Sequence, residues 1–309
     1  MNKWQKIGLA VGMGAAVVTT THLINSIIFK SSTANNYTGK RIRSNYQWKF
    51  GNIAYVTAGS GSPLLLIHDL NSYSSSYEWE QTINSFAKNH KVYAIDLLGC
   101  GHSDKPNLTY TTFMYTQLIN DFVVNVIHSK TDVVATAGST PIVIMAAFNN
   151  HALFNKIILV SPLSVEDALK GPDNLSGIRR HILNVPVIGT TVYNILFNKP
   201  SIRKLLSRTF KDGKVSAACH ENAHLGDTAA KYLFISTECN FTTVTISKAL
   251  SELDNCIYMI NGMHNNNDVI DEYIHINPAI ENVMIQDAKK LPQVEQPAEF
   301  VRQAEIFLN

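Results

Sequence analysis

The chain has 309 residues, of which 45% are hydrophobic, 9% aromatic and 16% charged, a composition that excludes a disordered, collagenous or coiled-coil protein. Its 26 lysines and arginines stand against 24 aspartates and glutamates, and a net charge of +2 is far below that of a typical nucleic-acid-binding protein. The four cysteines are widely spaced and include no Cys-x-x-Cys pair, so the sequence predicts no disulfide framework.

The N-terminal segment is predicted to anchor the protein in a membrane. From Ile7 to Phe29 no side chain is charged, and as a helix this stretch would span about 34 Å, against roughly 30 Å for a bilayer core. A cleaved signal peptide is one alternative, although no Ala-x-Ala site follows Val18, and a buried or amphipathic helix is another. Lysines and arginines flank both ends, so the membrane orientation stays open. We therefore predict a single-pass anchor over residues 1–30 and a polar linker over 31–45.

From residue 46 onward, short apolar runs alternate with helical patterns. The predicted strands are YQWKF, NIAYVTA, PLLLIHD, KVYAIDL, DVVATA, KIILVSP, CIYMING and ENVMIQD. The predicted helices of the core are Tyr77–Ala87, Tyr110–Ile127, Pro141–Phe148 and Pro297–Leu308. The run PLLLIH is almost wholly apolar, as expected of a parallel strand buried on both faces. The alternation predicts a doubly wound, mostly parallel α/β sheet.

Between residues 163 and 252 the alternation stops and the patterns are mainly helical, as in VIGTTVYNILF, SIRKLLSRTF, AAKYLFIS and TISKALSEL. We predict that this segment is a lid inserted between strands of one sheet, which divides the core into residues 46–162 and 253–309. Four apolar lid residues are expected to cover the site: Val187, Ile188, Tyr193 and Phe197.

Several segments resemble the α/β-hydrolase family. They are PLLLIHDLNSYSSSYEW, VYAIDLLGCGHSDKP, DVVATAGSTPIVIMAA, KIILVSP and KKLPQVEQPAEFVRQAEIFL. The resemblance runs from about Tyr46 to Asn309, and the chain is most similar to the lid-bearing branch of esterases, epoxide hydrolases and C–C hydrolases. It implies an α/β-hydrolase fold with a nucleophile on a sharp turn between a strand and a helix.

The resemblance implies that Ser139 is the nucleophile. The family's Gly-x-Ser-x-Gly corresponds here to the segment AGSTP, residues 137–141. A serine argues against haloalkane dehalogenases and epoxide hydrolases, which use an aspartate nucleophile, and an ordinary helix N-cap is the structural alternative. The implied oxyanion donors are the backbone amides of Leu70 and Thr140. Asp69 stands where the family has glycine, and its carboxylate could oppose the charge of an oxyanion or point away.

The general base is the main departure from the family. Lys290 occupies the position of the catalytic histidine, and a lysine ammonium cannot accept the serine proton unless burial neutralises it. The family's register places Asn265 at the acid position, with Asp268 as a substitute acid or, alternatively, a helix N-cap. His264 lies on the same predicted rim and is interpreted as a solvated loop residue.

The segment from His220 to His224 fits the His-Glu-x-x-His pattern of zinc peptidases. No third ligand is well placed by pattern, and we favour a polar lid helix over a metal site.

These observations leave two main hypotheses. The first is a serine hydrolase of small esters or lipid-like acyl substrates, with a degenerate triad of Ser139, Asp268 and Lys290. The second is a non-catalytic member of the fold that binds a small apolar or acyl ligand or a partner. A zinc peptidase acting through His220 and His224 is the third and weakest. No cofactor is predicted, and the sequence does not indicate an oligomeric state.

Overall fold

A computed structural model describes residues 2–209 and 216–309, and within these residues eight strands form one sheet. The strands are β1 (Ser44–Trp48), β2 (Gly51–Ala58), β3 (Ser62–Ile67), β4 (His90–Ile95), β5 (Thr131–Thr136), β6 (Phe154–Val160), β7 (Cys256–Gly262) and β8 (Glu281–Ile285). Their order is β1-β2-β4-β3-β5-β6-β7-β8. Strand β2 is antiparallel to both of its neighbours, and the remaining pairs are parallel. The predicted fold, a mostly parallel doubly wound sheet, is confirmed.

The helices cover both faces of the sheet and fill the insertion between β6 and β7. They are α1 (Lys3–Thr33), α2 (Ile83–Phe86), α3 (Thr112–Phe122), α4 (Thr140–Asn149), α5 (Val165–Leu169), α6 (Ser176–Asn184), α7 (Pro186–Leu196), α8 (Lys199–Thr209), α9 (Ser216–His224), α10 (Lys231–Glu238), α11 (Ser247–Glu252), α12 (Asp268–Ile276), α13 (Pro292–Glu295) and α14 (Pro297–Leu308). The predicted helix Tyr77–Ala87 is instead a 3₁₀ turn followed by α2. There, the Ser75 hydroxyl and the Asp96 carboxylate accept backbone N–H groups at the start of the segment, which favours a turn over a longer helix.

The two faces of the sheet bury alternate residues of the same strand. In β3, Leu65 and Ile67 pack against the layer that contains α3 and α4, whereas Leu64 and Leu66 pack against the layer of α2 and α14. This alternation explains why the sequence of β3 is apolar throughout, since a central parallel strand has no solvent face. The carboxyl ends of β3, β5 and β8 then bring their following loops to one edge of the sheet.

Helix α1 is long and apolar enough to cross a membrane by length and composition, a test that a signal sequence near the N-terminus also passes. Its last turns, however, pack against the lid. Asn25 donates a side-chain hydrogen bond to Thr191 (3.0 Å) and accepts one from Asn194 (2.9 Å). Phe29 is buried, with its ring centroid 6.5 Å from that of Tyr193. The predicted anchor over residues 1–30 therefore includes turns that belong to the lid interface.

The segment predicted as a linker, residues 31–45, is more ordered than its polar composition indicates. Helix α1 continues to Thr33, and β1 begins at Ser44. Between them, the Glu221 carboxylate on α9 accepts the backbone N–H groups of Tyr37 (2.8 Å) and Thr38 (2.9 Å) and the Thr38 hydroxyl (2.8 Å). These charge-assisted hydrogen bonds fix the chain against the lid, which no local pattern in residues 31–45 could indicate.

Candidate functional site

The turn between β5 and α4 is the strained point of the site. Strand β5 ends at Thr136, and the next residue, Ala137, is fully buried with a φ of 45°. A side chain at positive φ is disfavoured and persists only where the surrounding structure holds it. One 3₁₀ turn covers Ala137–Ser139, and α4 begins at Thr140 with Pro141 in its first turn. Ala137 thus has the strained backbone of a strand-to-helix elbow.

Ser139 lies two residues after that strained position. Its φ of −89° and ψ of −10° are ordinary helical values, and its side chain is fully buried. Its hydroxyl donates a hydrogen bond to the carbonyl oxygen of His68, with an Oγ–O distance of 2.5 Å. The structure therefore places Ser139 at the start of the helix with its proton already engaged, rather than at the strained residue where the resemblance had located it.

The amide at the predicted oxyanion position of Thr140 is already used within the turn. The Thr140 N–H donates to the carbonyl oxygen of Ala137, and its hydroxyl donates to the same oxygen at 2.7 Å. The amide that follows the strained residue is that of Gly138. A methyl group added to Gly138 would lie 3.5 Å from the backbone nitrogen of Leu70. Leu70 and Gly138 are thus adjacent at this point, while the Thr140 amide donates within the turn.

The Asp69 carboxylate binds the Gly138 amide. Its Oδ1 accepts the Gly138 N–H at 2.8 Å, and its Oδ2 accepts the Asn71 side-chain amide at 2.9 Å. The Lys290 ammonium lies 3.4 Å from the same Oδ2, with the lysine side chain one third exposed and the aspartate almost buried. Lys290 therefore contacts Asp69, which comes from the loop after β3. A carboxylate at an oxyanion amide repels the anion that such an amide would otherwise stabilise.

Glu78 is a second buried carboxyl group beside Asp69, and the sequence analysis did not identify it. Its Oε2 accepts the backbone N–H of Asp69 (3.1 Å), and its Oε1 lies 2.7 Å from the Gln293 side-chain nitrogen. Burial, with the nearby charge of Asp69, raises the pKa of Glu78 to about 8, so the group is largely protonated at neutral pH. Among residues 2–209 and 216–309 the Gln293 oxygen has no hydrogen-bond partner, and exchanging the two amide atoms would let it accept the Glu78 proton. Asp69 is then left as the charged partner of Lys290.

The raised pKa of Glu78 predicts a specific dependence of stability on pH. The folded state holds a proton that the unfolded state releases above the ordinary pKa of 4.5. The contribution of Glu78 to stability is therefore complete below pH 4.5 and is lost as the pH rises through about 8. We expect Glu78→Gln to flatten the fall in urea-unfolding free energy between pH 5 and about pH 9. An equally steep fall in Glu78→Gln would contradict this assignment, and Glu166→Gln, at an exposed position on α5, serves as the control.

The predicted acid lies apart from these groups. Asp268 is exposed in the first turn of α12, directly after the N-cap residue Asn267. Within the described residues, no hydrogen bond or ion pair joins Asp268 to Ser139 or Lys290. The helix dipole stabilises an acidic residue in the first turn of a helix, and Asp268 lies at such a position on α12. The neighbouring His264 is half exposed, 4.0 Å from the Asp287 carboxylate.

The His-Glu-x-x-His segment forms part of α9, but its groups face different partners. Glu221 holds Tyr37 and Thr38, while the Nδ1 atom of His224 lies 2.7 Å from the carbonyl oxygen of His220. Burial, with His224 and Lys199 nearby, lowers the pKa of His220 to about 4. In the described part of the chain, no group of three His, Cys, Asp or Glu side chains could hold a metal ion. The contacts of this segment are those of a lid helix packed on the N-terminal chain.

Aromatic residues of the lid pack above the Asp69 loop. Tyr73, from this loop, has its ring centroid 6.4 Å from that of Phe197, which in turn lies 4.5 Å from Tyr193. Burial, and then the charge of Asp69, raises the pKa of the Tyr73 phenol well above its usual range. Tyr193 and Phe197 are buried and Val187 is half-buried, whereas the prediction for Ile188 is wrong, because that side chain is 55% exposed.

The sequence was compared with known proteins. Residues 64–303 match a family model described as the alpha/beta hydrolase family. Over 106 residues the chain is 30% identical to the soluble epoxide hydrolase of Corynebacterium sp. (strain C12), covering 34% of this chain and 36% of that enzyme. Over 70 residues it is 34% identical to the 2-hydroxy-6-oxo-6-(2'-aminophenyl)hexa-2,4-dienoic acid hydrolase of Metapseudomonas resinovorans, covering 22% of this chain and 24% of that enzyme. The chain thus matches only about a third and a quarter of these relatives' lengths.

Solved structures resemble the protein over most of its length. The serine hydrolase CarC, involved in carbazole degradation, has a TM-score of 0.71 at 16% identity, covering 86% of this chain and 98% of its own. A membrane phospholipase A has a TM-score of 0.69 at 16% identity, covering 98% of this chain and 96% of its own. At these identities the likeness shows the fold alone. The family model, however, matches well over half of the sequence, and the chain therefore belongs to the alpha/beta hydrolase family.

Proposed function

We propose that this protein is a membrane-anchored member of the alpha/beta hydrolase family that binds a small apolar or acyl ligand beneath its lid without hydrolysing it. The observation that carries the proposal is the position of the Asp69 carboxylate, which accepts the Gly138 amide and pairs with Lys290. The relatives are hydrolases of small molecules, which supports a small-molecule ligand, and α1 supports the membrane anchor.

Acyl transfer needs three elements that this arrangement does not provide. A nucleophile belongs at the strained elbow, where Ala137 has only a methyl group. A base must accept a proton, whereas the Lys290 ammonium donates to Asp69. The oxyanion must be met by free N–H donors, whereas the Gly138 amide already holds a carboxylate. Relative to the family pattern, Asp69 and Lys290 introduce opposite charges. Their ion pair neutralises these charges, so the two departures are compatible with each other and with Ala137 at the elbow.

Ester hydrolysis through Ser139 is the second candidate function. It is favoured by the hydrolase relatives and by the position of Ser139 at a strand-to-helix turn. It requires the hydroxyl to leave the His68 carbonyl and a neutral base to reach it. The two candidate functions can be distinguished experimentally, since only ester hydrolysis forms a covalent intermediate at Ser139.

Retention of an unchanged ester tests the proposed function. Methyl dodecanoate, radiolabelled in its acyl chain, should co-elute with the detergent-purified protein and be extracted from it as intact ester. We expect Phe197→Ala to weaken this retention about tenfold, because losing a buried aromatic removes roughly 1.5–3 kcal/mol of apolar contact. Ile306→Ala, at an exposed position on α14, is the matched control. Release of free dodecanoate that stops in Ser139→Ala would contradict the proposal and support hydrolysis.

A further inference from the structure

The outer surface of the lid carries exposed apolar residues at helical spacing. On α6 these are Leu175, just before the first turn, then Ile178 and Ile182, which are 61%, 60% and 50% exposed. On α7 they are Ile188 and Ile195, which are 55% and 61% exposed. Spacings of three, four and seven residues place such side chains on one face of each helix. We call these five residues the lid stripe. Exposed apolar patches of this kind mark interaction surfaces.

The lid stripe lies beside the helix that is long enough to cross a membrane. Helix α7 packs against the last turns of α1. A cavity of about 140 Å³ near the start of α7 is lined by His22, Asn25 and Pro186, whereas Phe29 contacts Tyr193 near its end. The turn between α6 and α7 is therefore the part of the lid nearest to the exposed apolar length of α1.

Helix α1 itself remains apolar on its outer side at this level. Leu23, Ile24 and Ile27 are more than half exposed, opposite the face where Asn25 and Phe29 are buried. A bilayer core of about 30 Å needs about 20 residues at 1.5 Å each, so a core that begins at Ile7 ends close to Ser26. The α6–α7 turn, which lies beside His22, is then level with the edge of the hydrocarbon core.

Polar side chains next to the lid stripe suit a membrane surface. Helix α6 combines its apolar face with Arg179, Arg180 and His181, a pattern typical of helices that lie in the interface between lipid headgroups and acyl chains. Arg179 pairs with Asp173 at 2.5 Å, while the Arg180 guanidinium lies over the Phe241 ring. The proposed occupant of the lid stripe is therefore a lipid bilayer, because the stripe continues the apolar surface of α1.

We infer that the α6–α7 hairpin rests in the bilayer interface beside α1, with the lid stripe in contact with lipid. This inference depends on the proposed anchoring by α1. It adds a second membrane contact, and it places the lid, rather than the opposite face of the fold, against the membrane.

Depth-dependent quenching in the full-length protein tests the inference. A Cys256→Ser background removes the exposed cysteine, and the other three native cysteines are buried. The fluorophore NBD is attached to Ile182→Cys or Ile188→Cys, or to the similarly exposed controls Val124→Cys and Ile306→Cys. The proteins are reconstituted into phosphatidylcholine–phosphatidylglycerol vesicles with or without brominated acyl chains. Brominated lipid should quench the two lid probes by about half or more and the two controls by about a tenth or less.

The outcomes separate the inference from the anchoring on which it rests. Vesicle flotation of every variant, with quenching at residues 182 and 188 no greater than at 124 and 306, would overturn the lid contact and leave the anchor intact. Blue-shifted lid probes that brominated lipid does not quench would show that protein, such as a second copy of the chain, covers the stripe, which also overturns the inference. A full-length chain that fails to float would contradict the anchor and with it this inference.

Discussion

The purified full-length protein should hydrolyse p-nitrophenyl butyrate no faster than its Ser139→Ala variant, and a fluorophosphonate probe should label neither. In the proposed function, Ala137 stands at the strained elbow, Lys290 replaces the base and Asp69 occupies the Gly138 amide, so attack, proton transfer and oxyanion binding each lack their group. Loss of the nucleophile or the base alone costs about 10⁶ in rate in a serine hydrolase. Turnover in the wild type that disappears in Ser139→Ala would refute this prediction.

Rebuilding the centre provides the positive control. Ala137→Ser supplies a hydroxyl at the elbow, Asp69→Gly frees the Gly138 amide, and Lys290→His supplies an imidazole. We expect labelling by the fluorophosphonate only when all three changes are combined, because triad members act as a unit. Adding Asn265→Asp should increase the rate further if its carboxylate orients the new histidine. A matched set in which every variant also carries Ser139→Ala should behave identically, and dependence on Ser139 would contradict the assignment.

The second large effect concerns the contact between α1 and the lid. We expect Phe29→Ala to lower the free energy of unfolding by about 3 kcal/mol or more, the usual cost of truncating a fully buried phenylalanine. Phe29 is 1% exposed, and its ring lies 5.4 Å from that of His224 and 6.5 Å from that of Tyr193. Chemical unfolding in detergent, followed by fluorescence, measures the difference, and Leu23→Ala on the exposed face of α1 is the control.

Truncations extend the same test to the whole helix. Removal of residues 2–20 leaves Asn25 and Phe29 in place and should yield a stable protein. Removal of residues 2–30 deletes both contacts and should produce a chain that unfolds at lower denaturant concentration and is cut by protease within the lid. Equal stability of the two truncated chains would show that α1 contributes nothing to the lid.

The sheet was predictable because its signals are local. The central strands of this sheet are short apolar runs bounded by turn residues, and β3 is apolar on both faces because the sheet is covered on both sides. The position of Lys290 after the last strand was also visible from its neighbours in sequence. The family resemblance also implied the α/β-hydrolase fold, which the match over residues 64–303 confirms.

The details of the site were less predictable, because residues 135–141, ATAGSTP, fit the small-x-nucleophile-x-small pattern in two frames that differ by two residues. One frame centres on Ser139 and the other on Ala137. Ser139 favours the first frame because serine can act as a nucleophile, whereas the positive φ of Ala137 supports the second. Backbone strain is a property of the tertiary structure, and no residue type in this segment indicates it.

The remaining differences between the predictions and the structure concern the direction in which side chains point. Whether Asp69 turned toward or away from the Gly138 amide depended on Lys290, which is more than 200 residues later in the chain. Similarly, the apolar pattern of α7 contains both the buried Tyr193 and the exposed Ile188. Hydrophobicity alone does not distinguish a residue that faces a protein core from one that faces another apolar medium.

Under the proposed function, the pairing of Asp69 with Lys290 would make catalysis difficult to restore one mutation at a time. Replacing Lys290 alone leaves an almost buried carboxylate without its cation, and replacing Asp69 alone leaves the ammonium and two amide donors without their acceptor. Either intermediate is less stable than the present chain and still lacks the elbow hydroxyl. Under the proposed function, restoring catalysis would therefore require several coupled changes, and selection for folding alone would be enough to preserve the pair.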